Sequence, residues 1–208
     1  MKLYSYTVKF DSGFAPNPFG KFCTLATCKP KIRLYAQEGD WVMGSGSVAT
    51  VGGDRLVYAM EITKVLSLQD YAKNPNFKYK KPIMNGSWKE RCGDNVYEKV
   101  DGEWTQLPSP FHGSAHLEKD TGGQNVLISE NFYYFGKEAI EIPKQFQKLI
   151  FKRGYKKEFD DDLVQEFIDW LKTKYRKGIH GDPIDREGEC DCEEPMTNSS
   201  KDSGCAPC

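Results

Sequence analysis

Polar and apolar positions alternate from the first residues of the chain. In Met1 to Phe10, Tyr4, Tyr6, Val8 and Phe10 fall on one side and Leu3, Ser5, Thr7 and Lys9 on the other, so the period of two predicts a strand with one aromatic face. Asp11-Ser12-Gly13 turns the chain. Phe14 to Phe22 (FAPNPFGKF) reads as an irregular loop, because Pro16 and Pro18 cannot sit in a central strand. Cys23 to Pro30 reads as a short strand or turn, and Lys31 to Ala36 leads into EGDWVMGSGS, Glu38 to Ser47. There Gly39-Asp40 marks a turn and Trp41 to Met43 a short strand. Ser45-Gly46-Ser47 is small enough to lie against something flat.

After Gly52-Gly53-Asp54, the apolar and β-branched run from Leu56 to Val65 predicts one buried strand. Ser67 is placed to cap a short helix, Leu68 to Lys73, which stops before Asn74-Pro75. Asn95 to Val100 and Glu103 to Leu107 flank Asp101-Gly102, a strong hairpin signal. Asn125 to Phe135 predicts one or two strands, and Ile142-Pro143 opens a helix of about ten residues. Asp160 to Lys177 has acids in its first turn, Leu163, Phe167, Trp170 and Leu171 on one face, bases at its end and Gly178 beyond, the pattern of a capped helix. Strands first and helices last predict an α+β domain, a curved mixed sheet or small β-barrel with C-terminal helices packed on one side. The domain is expected over residues 1–180. From Gly181 to Cys208 the composition turns acidic and polar, as in a disordered tail.

Composition changes this picture in three ways. With 208 residues and 38% hydrophobic content, the chain supports one real core. No apolar run nears the roughly 20 residues of a membrane helix, and MKLYSYTVKF lacks a signal-peptide core, so no membrane partner and a cytoplasmic location are expected. The net charge of -1 divides unevenly: Asp182 to Cys208 carries eight acids against two bases, which leaves the preceding residues at +5. A basic body suits a polyanionic partner.

The stretches MKLYSYTVKFDSGFAPNPFGKFCTLATCKPKIR, GDWVMGSGS, RLVYAMEITKVLSLQDY, GDNVY and NVLISENFYYFG together resemble the nucleotide modification associated domain family, second type, over nearly all of residues 1–178. More distantly, GDW, a strand, LVYAMEIT and a short helix resemble the PUA-like superfamily with its EVE, YTH and ASCH domains. That resemblance implies a small β-barrel that binds RNA or a modified nucleobase; the two resemblances together lead to the expectation of a module that recognises a modified or flipped nucleobase, in DNA before RNA. Unstacking a base costs a few kcal/mol, and aromatic stacking returns roughly 1–3 kcal/mol. The expected slot has Trp41, Tyr58 and Tyr133 as walls and Ser45 and Ser47 as polar edge, with Lys29, Lys31 and Arg33 of the strip KPKIR on phosphate.

Two other function classes stay open. His112 lies in SPFHGSAHLEKDTGG, a Gly/Ser-rich loop of about 15 residues, and long loops often carry function. His112, with Asp120 and Asp11, is the candidate polar centre of a hydrolase or transferase acting on a modified base or nucleotide. His112 and His116 have HxxxH spacing but no third ligand, so no metal and no cofactor are expected there. Alternatively, Phe14, Phe19 and Phe22 give the loop an aromatic surface for a protein partner. Four tail cysteines, Cys190, Cys192, Cys205 and Cys208, have spacing for tetrahedral zinc, but almost nothing between them folds, so zinc is not expected. No P-loop, GxSxG, GxGxxG or deaminase HxE…PCxxC signature occurs.

Overall fold

The computed structural model describes residues 1–151 and 153–185; the tail cysteines and Lys152 lie outside them. The strands, in chain order, are β1 (Leu3–Thr7), β2 (Cys23–Leu25), β3 (Trp41–Ser45), β4 (Arg55–Glu61), β5 (Lys64–Ser67), β6 (Tyr97–Val100), β7 (Glu103–Gln106), β8 (Asn125–Ser129), β9 (Asn131–Tyr134), β10 (Ile140–Glu141), β11 (Tyr155–Lys156) and β12 (Gly178–Ile179). The α-helices are α1 (Pro30–Tyr35), α2 (Leu68–Lys73), α3 (Trp88–Arg91), α4 (Leu117–Thr121) and α5 (Asp161–Lys174).

The main sheet runs β11-β1-β3-β4-β9-β12, with β10 also on β4; a second sheet runs β2-β8-β5, and β6-β7 is the hairpin predicted at Asp101-Gly102. β1 and β3 are parallel and β3, β4 and β9 antiparallel, so the domain is α+β with a mixed sheet. Among the described residues the sheet stays open and forms no barrel. The run Leu56–Val65 is not one strand. It breaks at Ile62-Thr63, where β4 leaves the main sheet and β5 joins the second, while β8 and β9 break opposite at Glu130. This shared bend carries two strands from one layer into the next.

Period two decides which side chains meet. Trp41, Met43, Ala59 and Tyr133 face α5, where Val164, Phe167, Ile168 and Leu171 are buried. Tyr4, Tyr6, Val42, Tyr58 and Met60 face the other way, onto Leu25 and Ile32. Each large apolar side chain so covered contributes about 2 kcal/mol. A third cluster gathers Phe14, Leu68, Tyr71, Phe77 and Tyr97 around the second sheet.

Local signals held where they were self-contained. Ser67 caps α2 by accepting from the Asp70 N–H, and Asp160 caps α5 by accepting from Leu163. The helix expected after Pro143 is instead a six-residue 3-10 segment, Lys144–Leu149. The chain also does not leave the domain at Gly181. The Lys137 N–H donates to the Asp182 carbonyl, Asp185 and Asp11 exchange backbone and side-chain hydrogen bonds at 2.9 and 2.8 Å, and Pro183 is buried.

Candidate functional site

The slot expected beside EGDWVMGSGS is filled by the protein itself. Trp41 and Tyr133 are 1% exposed and Tyr58 0%. Trp41 and Tyr58 lie on opposite faces of the sheet and cannot wall one cavity. The small residues admit the protein's own groups: a Cβ on Gly44 would stand 2.4 Å from the Tyr58 ring, and one on Gly46 2.5 Å from the Gly52 carbonyl oxygen. Ser45 is buried with its hydroxyl on the Tyr6 carbonyl at 3.4 Å. Only Ser47 reaches a depression, about 190 Å³ and lined by Thr7, Lys9, Gly46, Val48 and Gly53, with no aromatic wall.

The KPKIR strip also divides. Lys31 is exposed, and Lys29 is half-buried with its ammonium 4.7 Å above the Tyr6 ring. Arg33 is not available to phosphate. It is fully buried on α1 and donates to the Cys28, Asn125 and Asp120 carbonyls, because its guanidinium faces inward across the packed helix.

The structure brings His112 and Asp120 together and adds a residue the sequence did not single out. The Asp120 carboxylate, fully buried, meets His112 Nδ1 at 2.8 Å through Oδ2. It also accepts from the Tyr97 hydroxyl at 2.9 Å and from the Cys28 N–H at 2.8 Å. Burial alone would raise this carboxyl; the His112 hydrogen bond, the His112 and Arg33 charges and Tyr97 outweigh it and hold the group below its ordinary range. An ionised Asp120, already accepting from Tyr97 and Cys28, has no proton to give and so fixes Nδ1 of His112 as a donor; whenever the ring carries a single proton, Nε2 is the acceptor. Cys28 Sγ lies 3.6 Å from that Nε2.

Cys28 reaches this position through its backbone. It sits between β2 and α1 with φ 56, and Lys29 follows at φ 39, both left-handed. A non-glycine residue there is strained and persists only where surroundings impose it. Here the imposing group is Asp120, which takes the Cys28 N–H, while Arg33 takes its carbonyl at 2.8 Å. A strained turn between a strand and a helix holds the Cys28 side chain in one fixed direction, toward His112. The centre is covered: Cys28 and His112 are each 2% exposed, Phe14 lies 4.8 Å from the His112 ring, Phe111 stacks on Phe14, and the His116 ring stacks on His112 at 4.1 Å. His116 Nδ1 is buried without a hydrogen-bond partner.

The family model described as nucleotide modification associated domain 2 matches residues 1–189. The chain belongs to that family. Neither a curated protein nor a solved structure matches it.

As a nucleotide modification associated domain, the chain carries its titratable groups in two further places. Asp11, read beside His112 in the sequence, is engaged elsewhere. It accepts from the Tyr134 hydroxyl at 2.7 Å and from the Gly13 and Ile184 N–H groups, and so pins residues 181–185 to the domain. Burial raises its carboxyl to about 6, against Tyr134 and the backbone donors. Lys80 and Asp94 form a separate buried group under the Phe14–Phe22 loop. Among the described residues, no three His, Cys, Asp or Glu side chains are arranged around a metal position, and no helix is long and apolar enough to cross a membrane. Cys28 escaped the sequence reading because it is 84 residues from His112. The one local hint was a cysteine followed by Lys-Pro where a strand gives way to a helix.

Proposed function

We propose that this domain is an enzyme acting on a modified base or nucleotide, a hydrolase or transferase that uses Cys28 as nucleophile. The single observation that carries the reading is the order Cys28 Sγ, His112 Nε2, His112 Nδ1, Asp120 Oδ2, at 3.6 and 2.8 Å. Nucleophile, base and orienting group within reach of one another are the requirement for covalent catalysis. His112 takes the Sγ proton, the thiolate bonds to an electrophilic carbon of the substrate, and the leaving group departs with the proton from Nε2. Water, or an acceptor hydroxyl in a transferase, then gives its proton to Nε2 and attacks that carbon, and the carbon–sulfur bond breaks to restore the thiol. Asp120 keeps its charge throughout and stabilises the imidazolium. Family membership supports a nucleotide-derived substrate. With Trp41, Tyr58 and Tyr133 inside the core, base capture in the PUA-like manner has no open wall. Substrate entry requires the covering rings of Phe14, Phe111 and His116 to move aside while His112 stays on Asp120.

The test is turnover of a panel of modified nucleosides, nucleotides and DNA, read by mass spectrometry of products and of the intact protein. A substrate-derived mass on Cys28 and loss of turnover in Cys28→Ser and His112→Ala are expected. A substrate turned over equally well by Cys28→Ser refutes the reading.

A further inference from the structure

The segment 73–91, KNPNFKYKKPIMNGSWKER, holds six bases and one acid. It folds as a 3-10 turn, Pro75–Lys80, and then α3. Its single acid, Glu90, accepts from the Ser87 N–H and hydroxyl at 2.7 Å in a capping box and offsets one of the six cations. Lys73, Lys78, Lys89 and Arg91 are exposed.

Rings stand among these charges. Trp88 meets Phe19 edge to face at 5.2 Å, and the Lys89 ammonium lies 5.4 Å from the first ring and 5.8 Å from the second. Tyr79 is 45% exposed and its ring rests on the backbone of Gly20, where a Cβ would stand 2.3 Å away. Gly20 has φ 80, so the flat seat for Tyr79 needs glycine twice over. Ile83 and Met84 are 47% and 46% exposed beside them. The aromatic side chains of β3, β4 and β9 are buried, whereas here half-buried and exposed rings share one surface with cations, built of turns.

We propose that Phe19, Tyr79 and Trp88, with Lys78, Lys89 and Arg91, form a binding face for single-stranded nucleic acid. Cations that follow a backbone and rings on which unpaired bases stack are the two requirements for such binding, and neither depends on sequence. A duplex keeps its bases stacked on one another and offers the rings nothing. A protein partner would use Ile83 and Met84 but gains little from this excess of positive charge. The face is independent of the Cys28 chemistry, although the same loop carries Phe14 over His112 and Phe19 in this corner.

The test is binding of fluorescent oligodeoxythymidylate and oligouridylate of about 15 nucleotides, and of a duplex of equal length, to the full chain at about 50 and about 200 mM salt. We expect single strands to bind more tightly than duplex, affinity to fall about tenfold between the two salts, and Trp88→Ala to weaken binding about tenfold. Trp88→Phe keeps a ring and is expected to retain most of the affinity, which separates stacking from folding; thermal melts check the fold of both. Charge reversal by Lys89→Glu with Arg91→Glu should remove most of the salt dependence. Preference for one of the two single strands identifies DNA or RNA. Equal binding by wild type, Trp88→Ala and the charge reversal overturns the proposal. So does absence of strand binding at the lower salt, which would return the exposed Ile83 and Met84 to a protein partner. Strand binding and substrate turnover are separate readouts, so either proposal can fail without the other.

Discussion

Asp94 and Asp120 are both buried carboxylates, and both brace the stretch between Asn17 and Cys28. Asp94 accepts from the Thr24 and Tyr71 hydroxyls, each at 2.7 Å. Burial raises its carboxyl, with Lys80, Thr24 and Tyr71 opposing. Lys80 in turn donates to the Asn17 carbonyl and amide oxygens and to the Phe22 carbonyl, and burial lowers its ammonium to about 8. These partners are hydroxyls, carbonyls and an amide with no thiol or imidazole among them, so the group ties down a loop. Asp120 meets an imidazole instead, and beyond the imidazole stands a thiol. Burial and shifted acidity are common to both places. What distinguishes the second is a chain of exchangeable protons that ends on a thiol.

That contrast can be broken by experiment. The largest effect belongs to Cys28→Ser, expected to lose at least about 1000-fold in turnover, about 4 kcal/mol of transition-state stabilisation, while its unfolding free energy stays near wild type. Lys80→Met should behave oppositely, losing about 3 kcal/mol of stability because Asn17 and Asp94 are left short of a cation, with the folded fraction still turning over substrate. Chemical denaturation beside steady-state kinetics measures both; identical profiles for the two variants would erase the distinction. Asp120→Asn comes next. Its amide cannot stabilise an imidazolium, so kcat should fall about 100-fold or more, and KM should move less.

A smaller effect concerns Asp11. Its folded carboxyl titrates near 6, above the usual 3.8. A raised value means the fold favours the protonated form, so this contribution is complete below about pH 4 and is lost as pH rises through about 6. Wild type should therefore lose up to about 2 kcal/mol from this group between pH 4 and 7. Asp11→Asn should flatten that window in pH-dependent melts. The smallest effect is Ser67→Ala, about 1 kcal/mol from loss of the α2 cap, with no change in turnover.

Where the sequence read well, the cause of the structure lay within a few residues. Ser67 and α2 match because a hydroxyl caps an N–H three positions on. Asp101 and Gly102 take φ 52 and 89 in the turn they announce. The misreadings came from positions whose surroundings arrive from far along the chain. Trp41 looked like a wall because its own neighbours are small, yet α5 covers it from more than 100 residues away. Arg33 looked like an exposed cation because Pro30 marks a corner, but α1 turns that side chain toward Asp120 and Asn125.

The α+β class, the caps, the hairpin turn, the family and the separation of a basic body from an acidic end are all legible along the chain, because periodicity, turn chemistry and charge are properties of neighbours. Which aromatic rings are covered, and the meeting of Cys28, His112, Asp120 and Arg33 in one enclosed centre, follow from packing between distant elements. The shared bend of two strand pairs and the strained turn before α1 bring those side chains together, and no local pattern encodes a meeting between residues 84 positions apart.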